Sequence, residues 1–196
     1  MYADIDAIDI SVCNQALMKV GATRIVGFDD STVQARDCNA SYALSRDQVL
    51  EAFPWSFAKR RSVLTAATDT PAFGYSFQYV LPSDCLKVIS ILADPSSAEE
   101  PVWVVEGNYL LTDEEEVFMH YTAAVSDATH FTPSFIRAFS LYLASLLAMS
   151  IGKNAKLANE LEDKYIRYIE QEAMVINARQ SNEPIHQTNS YVDARS

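Results

Sequence analysis

Glycine is scarce in this chain. Five glycines in 196 residues leave little material for the loops that wrap phosphates or expose nucleophiles. There is no Gly-x-Ser-x-Gly elbow, no P-loop and no Gly-x-Gly-x-x-Gly turn. Histidine is equally thin. His120, His130 and His186 do not fall at metal-ligand spacing with another His, Cys or acid on a predicted helix, which argues against a zinc site. The three cysteines, Cys13, Cys38 and Cys85, form no C-x-x-C, so a zinc ribbon or redox pair is not expected and three buried thiols in a reducing compartment are. Long apolar runs are missing too. The longest, Ala138 to Ile151, falls short of the roughly 20 residues that span a bilayer and reads as a core helix. Asp4, Asp6 and Asp9 stand where a secretory leader would be apolar, so secretion is not expected.

Basic residues are outnumbered, 15 Lys and Arg against 26 Asp and Glu, for a net charge of −11. The deficit is uneven. Residues 61–125 carry 2 basic and 10 acidic groups, net −8, whereas residues 1–60 are net −2 and residues 126–196 net −1. A protein that grips DNA sets lysines and arginines against phosphates, so a sequence-reading role is not expected.

What is present organises into helix, strand, helix. A first helix is expected over about Ile10–Val20, capped by Asp9 and ended by Gly21, with Cys13, Ala16, Leu17 and Val20 on one face. A second is expected over 31–53. Ser31-Thr32-Val33-Gln34 reads as a capping box, Ala35, Cys38, Tyr42, Val49 and Phe53 recur at helical steps, and Pro54 is the stop. The period then changes to two. Tyr75, Phe77, Tyr79 and Leu81 alternate with Ser76, Gln78 and Val80, Pro82-Ser83-Asp84 is a turn, and Leu86–Leu92 is rich in β-branched residues. Val102–Glu106 and Tyr109–Thr112 flank Gly107-Asn108, which suits a type II′ hairpin. Val117, Met119 and Tyr121 alternate in a last strand. Helical character returns at Thr132-Pro133, a cap followed by a proline at the first helical position, and should run to Ile151. A final helix over about 155–179 carries a narrow stripe (Leu157, Leu161, Tyr165, Ile169, Ala173, Ile176) and the i,i+4 pairs Glu160–Lys164 and Asp163–Arg167.

The expected fold class is therefore α+β and mainly helical. Residues 1–60 and 123–180 form a helical bundle core, 61–122 a small antiparallel β insertion, and 181–196 a flexible C-terminal tail. The acidic run Asp113, Glu114, Glu115 and Glu116 lacks the alternating spacing and central glycine of a calcium loop and reads as a solvated turn. Lys59-Arg60-Arg61 reads as exposed surface at a helix-to-strand junction. No nucleophile–base or metal constellation appears, so no enzyme and no cofactor are expected.

One series of motifs carries more than pattern. Phe53-Pro54-Trp55-Ser56-Phe57-Ala58 is followed by Arg60 and Arg61, then by Phe73-Gly74-Tyr75, by Tyr79-Val80-Leu81-Pro82-Ser83-Asp84-Cys85-Leu86-Lys87-Val88, and by Val105-Glu106-Gly107. This order resembles the tail tubular protein A family, the head-to-tail adaptors (connectors) of short-tailed phages. In that family a P-W-x-F-A segment precedes Y-x-L-P-x-D-C-L-x-V. Asn14-Gln15-Ala16-Leu17 with Gly21-Ala22, and Tyr121 followed by Phe135 and the Ala/Leu-rich helix, also match. The likeness covers roughly residues 9–180 and carries no catalytic residues.

The resemblance implies a structural virion protein, an oligomeric ring that is typically a dodecamer. It would dock under the portal protein, meet a downstream tail or nozzle protein, and form part of the channel through which DNA passes without specific binding. The expected location is the head–tail junction of the virion, with the host cytoplasm during assembly and no membrane. Two site expectations accompany this reading. Asp113–Glu116 are the candidates to line the channel, where like charge would keep phosphates from sticking. Ile185, Tyr191, Val192 and Arg195 are the candidates to bind the portal, as apolar and cationic anchors in an otherwise polar segment. The alternative is another head–tail connector, a neck or tail-completion protein of a long-tailed phage. A small enzyme with an acidic pocket is the third reading.

Overall fold

The structure, a computed structural model, describes residues 5–96, 99–173 and 175. Helices take 46% of the residues and strands 19%, so the fold is α+β and mainly helical. The order is α1 (Ile5–Lys19), α2 (Val33–Ala52), six strands, α3 (Pro133–Ser150) and α4 (Ala155–Arg167). The strands are β1 (Lys59–Val63), β2 (Phe77–Val80), β3 (Cys85–Leu92), β4 (Trp103–Glu106), β5 (Tyr109–Thr112) and β6 (Phe118–Ala123).

The helix ends follow local chemistry, with corrections. α1 begins five residues before the expected start. Asp9 is not its cap but lies inside it, where its carboxylate accepts a hydrogen bond from the Tyr42 hydroxyl of α2. Gly21, at φ +71°, closes the helix as expected. Ala22 N–H donates to Leu17 O at 2.9 Å and Gly21 N–H to Met18 O at 3.3 Å, the paired bonds of a glycine C-terminal cap. α2 is capped by Thr32, whose hydroxyl accepts from Ala35 N–H at 3.2 Å, so the capping box at Ser31 gives way to its neighbour. α3 starts as expected, with Thr132 accepting from Phe135 N–H at 3.3 Å and Pro133 in the first turn. α4 is capped by Asn154 and stays α-helical only to Arg167; Tyr168–Ala173 winds on with wider π spacing. The expected pairs on α4 are replaced. Glu160 meets Lys156 at 3.9 Å, and Arg167 donates to the Asp163 carbonyl at 3.2 Å.

α3 is the centre of the helical body and packs on α1, α2 and α4. Its Phe135, Ala138, Phe139, Leu143, Ala144, Leu147 and Ala148 are fully buried. The alanines let neighbours approach closely, and the phenylalanines form an aromatic cluster with Trp55 and Phe57 from the segment after α2.

The β region, antiparallel as expected, is two sheets. One has the order β1-β6-β3 and the other β2-β5-β4. β1 begins at Lys59 and β6 ends at Ala123, so the basic triplet is already strand. Between the sheets lies a second core of Tyr79, Ile91, Leu110, Val117, Met119 and Tyr121. The β4–β5 hairpin is as expected: Gly107 sits at φ +60° while Asn108 is not among the positive-φ residues, the dihedral signature of a II′ turn.

Candidate functional site

The motif residues are divided between the two cores, Trp55 and Phe57 in the helical one and Tyr79 and Leu81 in that of the β region. Pro54 follows the end of α2, and Trp55 turns back under the helix. Its indole N–H donates to Val49 O at 2.8 Å, satisfying one of the carbonyls left orphaned at a helix C-terminus. The Trp55 ring stacks edge-on against Phe53 at 4.9 Å and Phe135 at 5.3 Å. Phe57 joins Phe135 at 5.1 Å. The Pro82-Ser83-Asp84 turn then carries the chain from one sheet to the other. Leu81 N–H donates to Asn108 O at 3.0 Å on the second sheet side, and Asp84 O accepts from Ala124 N–H at 2.7 Å beyond β6. The Asp84 carboxylate accepts from the Tyr121 hydroxyl at 3.2 Å. Burial, then the Asp84 charge, pushes the Tyr121 phenol up. At the N-terminal end, Asn14 clamps the connection after α1, accepting from Ile25 N–H at 2.8 Å and donating to Ile25 O at 2.9 Å. These residues hold the fold, and Leu81 and Pro82 also line an open groove beside β2.

The acidic run lies on the surface of the β5–β6 turn. Asp113 is exposed and pins Ser76, accepting from both its N–H and its hydroxyl at 2.8 Å. Glu114 is half-buried, and its carbonyl accepts from the Tyr79 hydroxyl at 2.7 Å. Glu115 and Glu116 are exposed. Burial raises the Tyr79 phenol, and the charges of Glu115, Glu114 and Glu116 raise it further. The portal-binding candidates Ile185, Tyr191, Val192 and Arg195 lie outside the described residues, as does His186.

Other chemistry-bearing groups are placed as follows. His120 sits in β6 opposite Arg61 and Ser90. His130 is exposed, 3.4 Å from Asp127. Cys13 and Cys38 are buried together between α1 and α2, and the Cys13 thiol is pushed far up by its hydrogen bond to Cys38 and by burial. No group of three or more His, Cys, Asp or Glu gathers as a metal site among the described residues. An open groove of about 580 Å³ runs between the segment after β1 and strand β2, lined in part by Val63, Asp69, Gln78, Val80 and Tyr109.

Strand order reveals one feature that the sequence reading missed. Lys59 of β1 and Lys87 of β3 both pair with Thr122 of β6. The two lysines therefore stand on the same sheet face, 28 positions apart in sequence, with Arg61 and His120 on the next rung. No local pattern announces this, because it depends on β6 lying between β1 and β3.

No protein-family model matches the chain, and no curated protein is significantly similar to it in sequence.

Proposed function

We propose that the chain is a ring-forming head-to-tail adaptor, a structural virion protein that docks under a portal and contributes to the DNA channel. The observation that carries the reading is the set of resembling motifs, in order, at positions where each has a mechanical job. Asn14 clamps the first connection, Trp55 closes α2, and Asp84 ties the turn between the two sheets to Tyr121 of β6. Such residues specify an architecture and leave its surfaces free for assembly. The net charge of −11 suits a wall that must not hold DNA, and Asp113–Glu116 are its candidate lining. Residues 181–196 are the candidate portal-docking segment through Ile185, Tyr191, Val192 and Arg195. Many copies in a ring would let each contact be weak.

The test is negative-stain imaging of the purified protein with and without a portal. Rings or portal-bound collars are expected; a compact monomer that never joins the portal refutes the reading. A truncation after Gln180 should keep its helical content and fail to co-sediment with the portal.

A further inference from the structure

The β region separates its charges along one strand. Its basic residues gather near the end of β6 at Thr122, where Lys59 and Lys87 flank that threonine on one face. Lys87 is exposed and Lys59 half-buried. The acidic run Asp113–Glu116 precedes the other end of β6, which starts at Phe118. From Phe118 to Thr122 is about 13 Å at roughly 3.3 Å per residue. That is too far for a lysine to pair with the acidic turn of its own chain, and beyond the screening length of about 8 Å at physiological salt. Among the described residues neither Lys59 nor Lys87 makes an ion pair, and neither does Glu115 or Glu116. Two groups of opposite charge thus stand apart on one molecule: Glu115 and Glu116 exposed on their turn, and Lys87 exposed with Lys59 half-buried on either side of the buried Thr122.

We propose that the Lys59/Lys87 side of one copy binds the Glu115/Glu116 turn of the next copy, head to tail, which puts those two carboxylates at the contact between copies and leaves Asp113 and Glu114 as the part of the run that can face the channel. This rests on the ring reading above and deepens it by naming the contact. A pair of different, complementary patches makes a heterologous interface, and heterologous interfaces generate rings when the rotation closes. The partner is a second copy because the charge that complements the lysines is carried by the same chain in excess, net −8 over residues 61–125. Charge complementarity of this kind fixes register and speeds encounter, and it weakens with salt.

The experiment uses the full chain and two double reversals, K59E/K87E and E115K/E116K. Asp113 and Glu114 are spared because they hold Ser76 and Tyr79. Sedimentation velocity at low and high ionic strength reads self-association. The wild type should associate at low salt and dissociate at high salt, and each reversal should weaken association at least about tenfold. An equimolar mixture of the two reversals should associate again, since the acidic face of one meets the basic turn of the other; misfolding could not produce that rescue. Wild-type assembly that neither reversal weakens, or a mixture that stays apart, overturns the contact and leaves the ring reading intact. A wild type that forms no assembly alone or on the portal overturns both. If K59E/K87E instead loses duplex-DNA binding while still assembling, the face contacts phosphate and the proposal fails.

Discussion

Phe131, Phe135 and Phe139 recur every fourth residue into α3 and mesh with Trp55 and Phe57, ring against ring at 4.7–6.4 Å. Among the described residues the β region has no such cluster. Its large buried groups are Tyr79, Ile91, Leu110 and Met119. Tyr79 and Tyr121 each carry a hydroxyl that must find a partner, at Glu114 O and Asp84. The helical body is thus set by shape and apolar area, and the β region by register and polar ties. The two cores share no buried residue. Most of the net charge lies over the second.

The sharpest way to break this comparison is to hollow out one core and watch the other. Phe135→Ala removes a fully buried ring and should cost about 3–5 kcal/mol. Leu110→Ala, also fully buried, should cost about 2–5 kcal/mol in the β region. Trp55 and Trp103 are the two tryptophans, and they pack against different cores. In urea titrations Phe135→Ala should lower the midpoint of the Trp55 signal more than that of Trp103, and Leu110→Ala the reverse. Equal shifts in both signals for both variants would show one cooperative unit instead of two.

Alkaline pH bears on both regions, since burial also raises Tyr79 and Tyr121 in the β region, but the phenols raised furthest stand in the helical body. Burial, with the neighbouring Tyr142, lifts the Tyr165 phenol from the ordinary 10.0 to about 12. Burial, followed by the Asp9 hydrogen bond, lifts Tyr42 higher. Both stand in the helical body. Between the unfolded and folded values the native state keeps a proton that the unfolded chain has lost, so stability falls as pH rises above 10. Helical signal should be lost in that window, and Tyr165→Phe should move the loss to higher pH. An unchanged alkaline midpoint in the Tyr165→Phe variant would remove this phenol from the cause.

Trp55→Phe tests the closing of α2. Phenylalanine keeps a ring for Phe53 and Phe135 but cannot donate to Val49 O, which the indole meets at 2.8 Å in a buried bond. An unsatisfied buried carbonyl costs about 1–3 kcal/mol. Denaturant unfolding followed by far-UV circular dichroism should show that loss. A loss below about 0.5 kcal/mol would mean that the ring alone closes α2.

The features readable in the sequence were those set within a few residues. Gly21 ends α1, Gly107 makes the hairpin turn, and Thr132-Pro133 opens α3, because each depends on a dihedral preference or a cap three positions away. The division into two sheets was not readable. It rests on β6 pairing with both β1 and β3, and strand order leaves no local trace. The same gap hid the Lys59–Thr122–Lys87 row, while Asp113–Glu116 was visible at once because its members are consecutive. The shift to π spacing after Arg167 interrupts no apolar stripe, so periodicity passed over it.

The smallest expected effect bears on the one boundary where two adjacent residues offered the same chemistry. Ser31 and Thr32 can both cap a helix, and Gln34 three residues after Ser31 favoured Ser31. In the structure Ala35 N–H turns to the Thr32 hydroxyl, at 3.2 Å, with Thr32 in extended geometry at φ −79°, ψ 156°. That geometry suits a cap, and it places Val33 as the first helical residue. Thr32→Ala should therefore cost about 1 kcal/mol. Ser31→Ala, outside the helix, should stay within about 0.5 kcal/mol of wild type. Urea midpoints from far-UV circular dichroism separate the two, since α2 belongs to the helical core. If the order is reversed, Ser31 is the cap in solution, the helix begins one residue earlier, and the Gln34 side chain takes up the reciprocal bond to the Ser31 N–H.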